Sequence, residues 1–113
     1  MSRERFLERV HDQLDELAEL RARNSALDLA EQELKYARQG REKYPTEVGA
    51  LRNQVVALAA MGRLEEVQSL LDERLTLSGG TPVQEMRLAA MEFRAHGYRD
   101  EGNEVLNRAL SWL

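Results

Sequence analysis

Residues 51–75 read LRNQVVALAAMGRLEEVQSLLDERL, and residues 86–110 read MRLAAMEFRAHGYRDEGNEVLNRAL. Each segment contains an alanine-rich apolar run, then a glycine, then acidic residues and a second apolar run. The two glycines, Gly62 and Gly97, lie 35 residues apart, a spacing typical of helix–turn–helix repeats. Because one such unit cannot bury its apolar face alone, the pattern predicts helix pairs that stack on one another.

The composition is that of one soluble helical domain covering residues 1–113. Charged residues make up 32% of the chain and the formal net charge is −4, which argues against binding to nucleic acid because phosphate contacts need a basic stripe. The absence of cysteine excludes disulfides, thiol catalysis and thiolate metal sites. We find neither a run of about 20 apolar residues nor a signal peptide, so we expect a cytoplasmic protein without a membrane partner.

Apolar residues at three- and four-residue spacing predict helices throughout the first half of the chain. Ser2 is the expected N-cap of the first helix. Asn24 and Ser25 are expected to break the pattern, because their side chains compete for backbone hydrogen bonds. Pro45 ends the second helix, since it pushes the preceding residue toward an extended conformation.

The second half continues with four more helices. Gly62 and Gly97 supply the left-handed conformation that helix ends favour, and Ser78-Gly79-Gly80 forms a flexible connection. The prediction is therefore six helices in three pairs, with approximate units at residues 2–45, 46–79 and 80–113.

Small residues around the turn glycines make the chain resemble the tetratricopeptide repeat family. That family has a small residue seven positions before the turn glycine and two more at five and twelve positions after it. In the last unit these positions hold Ala90, Gly102 and Ala109 around Gly97. The resemblance implies an all-α fold, with three helix–turn–helix pairs stacked as a short right-handed solenoid.

The other two units match the family pattern less closely. Around Gly62 the three positions hold Val55, Val67 and Arg74 instead of small residues. The first unit fits if Ser25 takes the place of the glycine, with the small positions at Ala18, Ala30 and Ala37.

The resemblance implies a non-catalytic scaffold that binds a peptide or protein segment in a concave groove lined by the first helix of each pair. The groove would be acidic at one end and basic, with apolar contacts, at the other. A solvated surface that binds no partner gives the same charge pattern. The groove residues implied are Asp15, Glu19, Arg52, Asn53, Val56, Arg87, Leu88, Met91 and Arg94.

Catalytic, cofactor and metal motifs are not found in the sequence. His11 and Asp15 share a helix face, but two ligands do not make a metal site. His96 lies at a predicted helix end, where a partly positive side chain complements the helix dipole. We therefore expect no enzyme activity, no cofactor and no metal.

Apolar residues crowd the end of the chain at Leu110, Trp112 and Leu113, although solenoids end in a polar cap. Three explanations remain open: the chain is part of a longer array, two copies pair through their last helices, or Trp112 folds back near Phe93. The second gives an alternative function, a structural module that forms a homodimer through its C-terminal helix.

Overall fold

The structure, a computed structural model, describes residues 2–77 and 81–112, and in these ranges it contains helices and no strand. The all-α fold class is therefore confirmed. The predicted connection at residues 78–80 and the terminal Leu113 lie outside the described residues. The helices are α1 (Arg3–Lys43), α2 (Val48–Ala60), α3 (Leu64–Arg74), α4 (Val83–Ala95) and α5 (Arg99–Leu110).

Helix α1 is a single helix of 41 residues. The Ser2 side chain caps it as predicted, accepting a hydrogen bond from the Arg5 N–H at 3.3 Å. The predicted break at Asn24 and Ser25 is wrong: both residues lie exposed within the helix. Residues 2–45 therefore form one helix instead of a pair, and the three predicted pairs become one long helix followed by two pairs.

The end of α1 follows from Pro45. Tyr44, the residue before it, leaves the helical region with φ −133° and ψ 71°, as expected for a residue that precedes proline. Its N–H still donates to the Gly40 carbonyl at 2.8 Å, so the helix runs past Gly40 and ends at Lys43.

The two later helix pairs, α2–α3 and α4–α5, have the same turn. Gly62 has φ 75° and Gly97 has φ 87°, as predicted. After each glycine, the next N–H donates to a carbonyl five residues earlier: Arg63 to Leu58 at 3.0 Å, and Tyr98 to Phe93 at 2.7 Å. These bonds are those of a Schellman cap. The sequence repeat therefore corresponds to a repeated local structure.

The core lies around α2, which packs against α1, α3 and α4. From α1 it receives Ala30, Leu34 and Ala37, all buried. Residues 2–25 are exposed except Val10, which is half-buried; we call residues 3–25 the arm. None of the described helices is both long enough and apolar enough to cross a membrane. The largest apolar side chains buried in the core are Leu51, Val55, Leu58, Val67, Leu71, Met86, Phe93 and Val105.

The two turns are in contact through Tyr98. A Cβ added to Gly62 would lie 2.5 Å from the Tyr98 ring, whereas one added to Gly97 would meet nothing within 4 Å. The turn of the second pair therefore packs directly on the turn glycine of the first pair.

We predict that Gly62→Ala lowers the free energy of unfolding more than Gly97→Ala does. Both substitutions force alanine into a left-handed conformation, at a cost of about 1 kcal/mol. Gly62→Ala also displaces the Tyr98 ring, adding about 1 kcal/mol. Urea unfolding of both variants measures the difference. In a Tyr98→Ala background the excess should vanish, and an excess that persists there would contradict this contact as its cause.

Candidate functional site

Two of the predicted groove residues, Asn53 and Val56, line an open cleft of about 460 Å³ between α1 and α2. The α1 side of this cleft carries Glu33 and Tyr36, and the Tyr36 side chain is exposed. The cleft, which we call the α1–α2 cleft, therefore combines an aromatic ring, an amide, a carboxylate and an apolar floor.

The predicted groove residues on α4 occupy its outward face. Arg87 and Met91 are exposed, and they lie on the side opposite the buried residues by helical spacing. Leu88 is half-buried. The stem of Arg94 runs along α5, since a Cβ added to Gly102 would come within 2.8 Å of its Cγ atom. The α4 face thus presents apolar side chains between two arginines.

Arg52, the third predicted groove residue of α2, turns toward the core instead of standing free in the groove. Its guanidinium donates to the Glu85 Oε1 atom at 3.0 Å. Arg74 of α3 lies 3.4 Å from the same oxygen, and its Nη1 also donates to the Leu77 carbonyl at 3.3 Å. Glu85 is 1% exposed. This Glu85 cluster joins α2, α3 and α4.

The charge of Glu85 is stabilised where it lies. Burial raises the pKa of the Glu85 carboxyl, but the hydrogen bond from Arg52 and the charge of Arg74 together lower the pKa below its usual value. Its second oxygen, Oε2, is buried and lacks a hydrogen-bond partner among the described residues. The buried negative charge of Glu85 is therefore compensated by the two arginines.

The acidic end of the predicted groove is not brought to α2 and α4. Asp15 and Glu19 lie on the exposed arm, because α1 continues straight where the sequence predicts a turn. A hairpin in residues 2–45 would have returned the arm alongside the rest of α1. The structure therefore places Asn53 and Val56 in the α1–α2 cleft. It places Arg87 and Met91 on the outward face of α4, and it leaves Asp15 and Glu19 apart from both.

The histidines lie at two separate places. His11 lies on the arm, and His96 lies 3.4 Å from Glu92 on the preceding helical turn. Within residues 2–77 and 81–112 we find no group of three histidine or carboxylate side chains that could hold a metal ion.

At the C-terminal end, Leu110 and Trp112 are exposed, and Leu113 lies outside the described residues. The apolar surface that the sequence predicts there is present at Leu110 and Trp112.

Sequence reasoning missed Tyr36 and Glu85. Tyr36 follows Glu33 by one helical turn on a polar face. An isolated aromatic ring on that face was the feature of the sequence that could have indicated a binding surface there. Glu85 is four residues before Ala89 and eight before Phe93, which places it in the apolar phase of α4. A carboxylate in that phase indicates a buried ion pair.

Comparison of the chain with protein-family models, with curated proteins and with solved structures finds no match.

We predict that Glu85→Gln lowers the free energy of unfolding by about 3 kcal/mol at neutral pH, because it leaves two arginines without their carboxylate. The matched control is Glu104→Gln, at an exposed carboxylate of α5. Urea unfolding at pH 7 compares the two, and equal values would contradict the role of the cluster.

The same variant tests the pH dependence of stability. Because the pKa of Glu85 is lowered on folding, its contribution is complete above the unfolded value of 4.5 and is lost as the pH falls through the folded value. Thermal melting between pH 7 and pH 3 should show a smaller decrease for Glu85→Gln than for the wild type. Parallel curves would contradict this assignment.

Proposed function

We propose that the chain is a non-catalytic protein-interaction scaffold that binds a peptide or protein segment on the outward faces of α2 and α4. In this proposal, the α2–α3 and α4–α5 pairs form a short right-handed solenoid of the tetratricopeptide type. Such a stack holds its first helices side by side, so that their outward faces form one surface.

The packing of α4 on α5 supports the repeat assignment. Ala90, Gly102 and Ala109, the three small residues of the family pattern, are buried. A Cβ on Gly102 would lie 3.1 Å from the Ala90 carbonyl oxygen. The close approach of the two helices therefore depends on small side chains at these positions.

The observation that carries the binding proposal is the exposed Met91 between two arginines. Its side chain is 57% exposed, and Arg87 and Arg94 lie one turn before it and about one turn after it. A flexible thioether adapts to differently shaped partners. Basic residues around an apolar centre favour a segment that carries an apolar anchor and carboxylates.

The lowered pKa of Glu85 supports the proposal that the chain is not an enzyme. A general acid or base that works near neutral pH needs a pKa close to that pH. The two arginines instead hold the Glu85 pKa below its usual value, which suits a structural ion pair.

The test is to pan a random-peptide phage library on the full chain and to measure the affinity of the selected peptides. We expect Met91→Glu to weaken binding about ten-fold or more, because it places a charge in the apolar centre of the contact. The control is Leu75→Glu, at an exposed leucine at the end of α3 and outside both proposed surfaces. Equal binding by both variants, or failure to select any peptide, would contradict the proposal.

An exposed apolar end supports the second candidate function, pairing of two copies through the C-terminal helix. Leu110 is 62% exposed, and Trp112 is exposed beside it. On this proposal, Leu110→Glu or Trp112→Ala lowers the solution mass measured by light scattering. A mass that neither substitution changes would count against pairing through this end.

A further inference from the structure

The arm carries an apolar stripe that faces away from the core. Val10, Leu14 and Leu17 lie twenty residues before Ala30, Leu34 and Ala37, the residues that α1 buries against α2. Twenty residues at 3.6 per turn make five full turns and about 200° more, so the two stripes face nearly opposite directions. While α1 stays continuous, the core that covers the second stripe therefore cannot cover the first.

This first stripe is extensive. Val10 is half-buried, and the other side chains of the stripe are large, apolar and about half exposed. A contiguous apolar surface of this kind marks an interaction site. We call the stripe the arm seam. Its members are Phe6, Leu7, Val10, Leu14, Leu17 and Leu20.

We propose that the arm seam pairs with the arm seam of a second copy of this chain, in antiparallel orientation. The spacing of the seam supports this occupant, because its central positions are symmetric about residue 12. Leu7 and Leu17 lie five residues on either side, and Val10 and Leu14 lie two. A two-fold axis at residue 12 therefore sets Leu7 opposite the partner's Leu17 and Val10 opposite the partner's Leu14.

The two flanking side chains fit the same arrangement. Phe6 and Leu20, the outermost residues of the arm seam, lie at the same heptad position, and in an antiparallel pair that position meets its own equivalent. Phe6 therefore lies beside the partner's Leu20. The seam ends at Arg3 and Arg21, whose long side chains reach solvent beyond the last apolar layer.

The flanking side chains favour the antiparallel orientation over the parallel one. In a parallel pair in register, Phe6 lies beside the partner's His11, and Leu20 lies beside the partner's Ser25. The antiparallel pair instead brings Phe6 and Leu20 together, so that both apolar side chains are covered. The four carboxylates of residues 12–19 lie at outward heptad positions, so they do not decide the orientation.

The oligomeric state tests the proposal. Light scattering of the full chain over a range of concentrations should show a mass rising from 13.0 kDa toward twice that value. Leu14→Asp should weaken association about ten-fold or more, because by symmetry each substitution enters the seam twice. A wild type that stays monomeric throughout overturns the proposal.

A matched control is available on the same helix. Leu29 lies outside the seam and is 58% exposed, against 57% for Leu14. Leu29→Asp should leave the mass unchanged, and equal effects of the two substitutions would overturn the assignment to the seam. Because neither residue is part of the core, thermal melting should show that both variants remain folded.

The orientation is tested by cross-linking, since the unsubstituted chain has no cysteine. A mixture of Val10→Cys and Leu14→Cys chains should form a disulfide-linked dimer, because a disulfide needs close Cα atoms and the two positions face each other across the antiparallel seam. Leu14→Cys alone should not. Cross-linking by Leu14→Cys alone, and not by the mixture, would show a parallel pair and overturn the proposal.

The outcome is distinguishable from those of the functional proposals. Leu14→Asp acts on the arm, whereas Leu110→Glu acts on the C-terminal end and Met91→Glu acts on the α4 face. A dimer abolished by Leu110→Glu and unaffected by Leu14→Asp would assign the contact to the C-terminal helix and overturn the arm pairing.

Discussion

Because α1 runs unbroken from Arg3 to Lys43, its two apolar stripes point to opposite sides of one rod. The C-terminal stripe packs against α2, so the core is built from the last part of α1 and the two helix pairs. The N-terminal stripe has no equivalent neighbour within the described chain. This single constraint removes Asp15 and Glu19 from the surface of α2 and α4, and it leaves the arm seam exposed. The distribution of sites along the molecule follows from it.

The parts of the fold that could be predicted from the sequence are those decided by local backbone chemistry. Gly62 and Gly97 were identifiable because a left-handed helix end favours glycine, and the end of α1 follows from Pro45. The break at Asn24 and Ser25 was not decided locally. Each residue costs only a few tenths of a kcal/mol within a helix, and a helix already formed on both sides extends through them cooperatively. Only tertiary contacts could have imposed a turn there.

The candidate site was predictable to a smaller extent, because helical spacing gives the face of a residue and not its partner on another helix. Asn53, Val56 and Met91 are solvent-accessible, as their spacing indicates. The repeat pattern predicts Arg52 in the same groove, but its guanidinium donates to the carboxylate of Glu85, which lies 33 residues further along the chain. One of the three departures of the middle unit from the tetratricopeptide pattern has a related cause, since Arg74 occupies a position where that pattern has a small residue. There it lies 3.4 Å from Glu85, so one ion cluster accounts for Arg52 and Arg74, and not for Val55 and Val67.

The two proposed surfaces constrain each other through the length of the arm. At 1.5 Å per residue, about 27 Å of helix separates residue 12 from Ala30, where the core begins. Two copies that cross at residue 12 therefore hold their cores about 54 Å apart, at opposite ends of the paired arms. A partner with two binding segments could engage both α4 faces only if its linker spans that distance, and it would then bind with high effective concentration. A partner with a shorter linker could bind only one α4 face at a time, so dimerisation would not raise its affinity. The length of the continuous helix α1 would therefore favour partners with long linkers.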